Sequence, residues 1–151
     1  MYIPPDGPPV PKKPRFKVKD PKLQEILNKL DEDGKIELAS KKDSDGNYPM
    51  HLVAKELVNN ADPDIIRQLP KMVQLILDCA KKKDQMNEFV DPGHNHPLHI
   101  AMTAKHSLAD MTTIADVFGK NGSDNNVVNV ENMTPLMIYL KEHEESNLEL
   151  G

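Results

Sequence analysis

From residue 21 onward the apolar positions fall into two kinds of segment. The longer kind places apolar residues three and four apart, the signature of an amphipathic helix. "DPKLQEILNKL" supplies Leu23, Ile26, Leu27 and Leu30, with Asp20 able to cap, Pro21 suited to a first helical position and Gly34 as a stop. "DPDIIRQLPKMVQLILDCAKKK" supplies Val73, Ile76, Leu77 and Ala80 and predicts a helix begun by Pro70, while "LADMTTIADVF" supplies Met111, Ile114, Ala115 and Phe118. The shorter kind is a turn-rich stretch, then a proline, then four or five largely apolar residues. It occurs as "GNYPMHLVA" (46 to 54), "HNHPLHIAM" (94 to 102) and "NMTPLMIYL" (132 to 140). Three copies of one pattern indicate internal repetition.

Each copy has a physical logic. Pro49, Pro97 and Pro135 fit the first turn of a helix, where a missing N–H costs nothing, and each biases the residue before it away from helix. Met50, Leu98 and Leu136 then point inward, with Leu52, Ile100 and Ile138 two places on. Ala54, Ala101 and Leu140 line the region where helices touch.

The pattern resembles the ankyrin repeat, whose hallmark is T-P-L-H-x-A, over roughly residues 22 to 145. "GSD" at 122 to 124 and "VN" at 128 to 129 add to the likeness. The resemblance implies an all-α solenoid of helix-turn-helix units with short β-turn fingers, an inner and an outer helix per unit, and His51 and His99 bonding across neighbouring fingers. This sequence also departs from the pattern. Pro49 to Pro97 spans 48 residues and Pro97 to Pro135 spans 38, against about 33 in the family, so both units carry insertions. In the third copy Met137 stands in place of His, and the finger lacks a turn glycine, which leaves its turn without an evident support. The expected organisation is a flexible, proline-rich basic leader over 1 to 20, a repeat domain over 21 to 145, and a frayed or truncated end over 146 to 151.

Composition narrows the chemistry. Aromatic residues make up 4% with no Trp, so Leu, Ile, Val, Met and Ala must build the core, as helix packing prefers. No run of about 18 apolar residues is present, and the N-terminus is proline- and lysine-rich where a secretory signal would be apolar, so an intracellular chain, nuclear or cytoplasmic, is expected. Cys79 has no partner for an internal disulfide and reads as a small buried hydrophobe. The leader holds six prolines and five cations against two carboxylates, a surplus of three. On a total of −5, the remaining 131 residues therefore carry −8, which argues against direct nucleic-acid binding by the body. The leader itself reads as a plain extended segment, a nuclear-import signal in "PKKPRFKVK" or a polyproline ligand in "PPVPKK".

Three chemical readings lose to structural ones. "DSDGN" (43 to 47) begins like a calcium loop, but with Gly46 at loop position 6 the first and twelfth positions fall on Lys41 and Leu52, so an Asx-stabilised turn explains it better. "HNHPLH" clusters His94, His96 and His99 without a cysteine or carboxylate set, and no metal or cofactor is expected. No nucleophile elbow, zinc-protease helix or phosphate loop occurs, and the acidic run Asp31, Glu32, Asp33 reads as a solvated helix end; an enzyme is not expected.

Binding of a partner protein is what the resemblance implies. The finger positions are Ser44, Asp45 and Asn47 in the first copy, Pro92, His94 and Asn95 in the second, and Glu131 and Met133 in the third. The inner-helix positions are Lys55, Glu56, Thr103, Ala104, Lys141 and Glu142. A weaker likeness to the first repeats of the inhibitor-of-NF-κB proteins, carried by "DSDG", "IIRQL" and "PLHIA", implies a regulator whose partner is a transcription factor. A scaffold or adaptor that uses the proline-rich leader as a second docking site is the alternative.

Overall fold

The computed structural model describes residues 16–33, 36–81, 83–88 and 95–150, with the side chains of 33, 36, 83, 84 and 144–150 outside that description. Seven α-helices are present among the described residues, and no strand: α1 (Pro21–Asp33), α2 (Ile36–Ala39), α3 (Pro49–Asn59), α4 (Asp64–Cys79), α5 (Pro97–Ala101), α6 (Leu108–Lys120) and α7 (Pro135–Leu150). A 3-10 turn over Lys83–Asn87 separates α4 from α5. The three motif prolines each open a helix, as their fixed φ and missing donor favour. The expected stop at Gly34 and residues 1 to 15 of the leader lie outside the described residues.

Packing partners follow a regular order. Helix α3 lies on α5 and α5 on α7, while α1 lies on α4 and α4 on α6; α3 also meets α4, and α5 meets α6. Buried apolar residues from Phe16 to Ile138 form one cluster, with Leu57, Leu69, Met72, Ile76, Ile114 and Phe118 sealed from solvent. Connecting segments are tied across the same order. The buried Gln85 amide donates to Ala39 O at 3.0 Å and accepts the Met50 N–H at 3.3 Å. Asn87 donates to Gly122 O at 2.9 Å and accepts the Asp124 N–H at 2.7 Å.

Four expectations are corrected. Helix α4 starts at Asp64, not Pro70, which sits in its interior. An interior proline costs about 3 kcal/mol. Here Ile65, Ile66 and Leu69 before it and Met72, Val73 and Ile76 after it share one buried face, and burying a side chain of this size contributes about 1.5–3 kcal/mol. Leu136 and Leu140 are not sealed inside: they are 62% and 55% exposed, and Leu136 borders an open recess shared with Leu108, Met111 and Ala115 of α6. Ile138 alone of that trio is buried. Cys79 is half-buried rather than sealed, and burial pushes its thiol above its ordinary range. The last five residues of the leader are docked. Phe16 is 1% exposed, and the Lys17 N–H and carbonyl meet the Gln68 side chain at 2.6 and 3.3 Å.

Candidate functional site

The first finger is built by Asp43. Its Oδ1 accepts the N–H groups of Asp45 and Asn47, both at 2.9 Å, and the chain closes through Gly46 N–H to Asp43 O at 3.0 Å with Gly46 at φ 84°. Burial pushes the Asp43 carboxyl up, but those N–H groups, the Asn47 side chain and Lys22 outweigh it and hold the group below its ordinary value. This is the Asx turn expected of "DSDGN".

The third finger repeats the construction. Asn129 Oδ1 accepts the N–H groups of Glu131 at 3.0 Å and Met133 at 3.1 Å, and Asn132 N–H closes onto Asn129 O at 2.9 Å. Asn132, at φ 61°, takes the left-handed position that Gly46 takes in the first finger. Asparagine tolerates that conformation better than other residues bearing a Cβ, so the turn survives without its glycine. The sequence marks Asn129 only as part of "VN"; the signal of its turn-building role is its place six residues before Pro135, matching Asp43 before Pro49.

Two histidines lock fingers to helices. The Tyr48 N–H donates to His51 Nδ1 at 3.0 Å, and His51 Nε2 meets Glu88 O at 2.8 Å. The His96 N–H donates to His99 Nδ1 at 3.0 Å, and His99 Nε2 meets Met133 O at 2.9 Å. An amide can only donate and a carbonyl only accept, so each imidazole must carry its proton on Nε2 and keep Nδ1 bare. Burial lowers the affinity of His51 for a second proton. His99 thus joins α5 to the third finger, 34 residues away, and the Asn129 side chain donates to Asn95 Oδ1 at 3.1 Å to join the second and third fingers.

These ties create a groove of about 270 Å³ between the second and third motifs. Its walls include Asn95, Thr103, Glu131, Met133, Lys141 and Glu142, six of the residues nominated from the repeat register. His99, Ile100, Asn129 and Ile138 complete it. Glu131 and Lys141 are exposed, while Glu142 lies 3.5 Å from Lys105 Nζ. The Thr103 hydroxyl donates to Ile100 O at 2.7 Å, leaving its oxygen as an acceptor. The groove therefore offers both charges, amide groups and an apolar floor on a held backbone, which suits contact with another protein's surface.

The other nominated residues are placed differently. Ser44 and Asp45 are exposed on the first finger, with Asp45 at 3.7 Å from Lys22. Asn47 is buried at 4% and accepts from Lys55 Nζ at 2.9 Å, so those two are held to each other. Glu56 and Ala104 are removed from the surface, at 2% and 0% exposure. The Glu56 carboxylate accepts the backbone N–H groups of Lys19 and Asp20, each at 2.9 Å, and the Asn60 amide at 3.2 Å. It is an internal anchor for the start of α1. Pro92 and His94 lie outside the described residues. No group of three or more His, Cys, Asp or Glu suited to a metal is found among the described residues, and none of their helices is long and apolar enough to cross a membrane.

Compared with protein-family models, the chain matches none. No curated protein matches it.

Proposed function

We propose that this chain is a non-enzymatic protein-interaction module of the ankyrin-repeat type, and that its partner protein sits on the fingers and inner helices. The observation that carries the reading is the convergence of Asn95, Thr103, Glu131, Met133, Lys141 and Glu142 on one groove. The order of helix contacts, α3 to α5 to α7 and α1 to α4 to α6, supports units that stack by nearest neighbours. So does the repeated bond from His51 and His99 to a carbonyl 37 and 34 residues further on.

The test is affinity capture from a cell lysate with wild-type chain, with a Thr103→Arg, Lys141→Glu groove variant, and with an Arg67→Glu, Gln74→Glu variant on exposed positions of α4. The reading expects a partner retained by wild type and by the α4 variant and lost from the groove variant. A partner lost only from the α4 variant would place binding on the opposite row of helices and overturn the reading.

A further inference from the structure

A second recess, of about 210 Å³, lies between α1, α2, the first finger and the first turn of α3, on residues separate from the groove above. Its floor is aliphatic, made by Ile26, Leu38 and Leu52. Its rim carries Lys22, Lys29, Lys41 and Lys42 against Glu25 and Asp43, a surplus of two cations on a chain whose total charge is −5. Not all of that charge is committed internally. Lys29 lies 2.8 Å from Glu25, and Lys22 lies 3.9 Å from Asp43 and 3.7 Å from Asp45. Lys41 and Lys42 are exposed and form no ion pair with a described residue; Lys42 stands 5.2 Å from the centre of the Tyr48 ring.

The geometry points to this recess as a docking site for an acidic segment of another protein that inserts one bulky aliphatic side chain between the lysines. Size and charge both choose that occupant. A cavity of about 150 Å³ admits benzene, so this recess takes one large apolar side chain and no drug-sized molecule. An aliphatic floor gains nothing from a simple anion, whereas an apolar side chain buried there is removed favourably from water. Lysines standing within a Debye length, about 8 Å at physiological salt, of flanking carboxylates add attraction and select against basic sequences. The chain's own leader, with five cations among residues 1 to 20, has the wrong charge for the position.

This inference uses side chains of α1, α2, the first finger and the first turn of α3, and does not depend on the repeat reading. It is tested by fluorescence anisotropy with the full chain and three short labelled peptides. One has aspartates and glutamates flanking a central leucine; the second has serine for the leucine; the third has lysines for the acidic residues. The expected result is saturable binding of the first, at least tenfold weaker binding of the other two, and at least tenfold weakening of the first by Lys41→Glu, Lys42→Glu. The single Lys41→Glu variant, which leaves the Lys42–Tyr48 contact intact, should weaken it severalfold, with an unchanged circular dichroism spectrum for both variants. Equal binding of the serine peptide would reduce the recess to an anion site and overturn the proposal. So would no binding of the leucine peptide, or binding indifferent to both lysine variants. Concentration-dependent self-association in light scattering that the lysine variants abolish would also overturn it, by making a second copy the occupant. Loss of partner capture by the groove variant with intact leucine-peptide binding separates the two surfaces.

Discussion

Replacing Glu56 by Gln or Ala tests whether a residue nominated as contact surface is instead a structural anchor. Its carboxylate receives three donors, the Lys19 and Asp20 amides and the Asn60 side chain, at 2.9 to 3.2 Å, and is 2% exposed. A hydrogen bond to a charged group contributes about 1.5–3 kcal/mol net, so three would give about 4.5–9 kcal/mol if all were sealed from water. The Lys19 and Asp20 amides lie near the surface and regain water when the carboxylate is lost, so the expected cost is about 2–4 kcal/mol for Glu56→Ala. Gln keeps one acceptor oxygen but turns an NH₂ toward the donors, for a cost of about 1–2 kcal/mol. Urea unfolding measures both values. Amide hydrogen exchange adds a local readout: Lys19 and Asp20 should lose protection in Glu56→Gln while the core of α3 and α5 keeps its own. Both variants within about 0.5 kcal/mol of wild type, with unchanged exchange at those amides, would refute the anchoring role.

Leu98→Ala should cost about 2–5 kcal/mol in urea unfolding, since the side chain is 2% exposed, while Leu140→Ala, at 55% exposure, should stay within about 0.5 kcal/mol. Asn132→Val should cost about 1–2 kcal/mol and Asn132→Gly almost nothing, because only the former opposes the positive φ; equal melting temperatures would contradict that reading. His51 binds a second proton less readily when folded than in the unfolded chain, whose histidine titrates near 6.5. Its stabilising contribution is thus complete above that pH and declines as the pH falls below it toward the lower folded value. The stability gap between wild type and His51→Gln should therefore narrow between pH 7.5 and 5.5; a constant gap would mean the imidazole does not resist protonation.

What could be read from the sequence was local. Pro49, Pro97 and Pro135 announced helix starts because proline's effects act within its own turn, and the inner positions Met50, Leu52 and Leu98 followed from them. Asn95, Thr103, Glu131, Met133, Lys141 and Glu142 could be nominated because a repeated unit puts equivalent positions on one side. What was hidden depended on distant partners. Glu56 looked like surface because its acceptor role is filled by amides 36 and 37 residues earlier in the chain. Phe16 was lost among prolines and lysines, although its ring is buried and the amides just after it are held by Gln68 and Glu56. Pro70 was mistaken for a start because its own cost is local, whereas the burial that offsets it is shared along α4. Leu136 and Leu140 carry the inward pattern of α5, but in α7 they remain 62% and 55% exposed.

The most direct test of partner binding is site-specific photocrosslinking. A photoreactive residue is introduced in turn at Thr103, Glu131 and Lys141 in the groove and at Arg67 and Gln74 on α4, in the intact chain within cells. The same partner protein should be crosslinked from all three groove positions and from neither α4 position. Crosslinks confined to Arg67 and Gln74, or a different protein caught at each groove position, would contradict it.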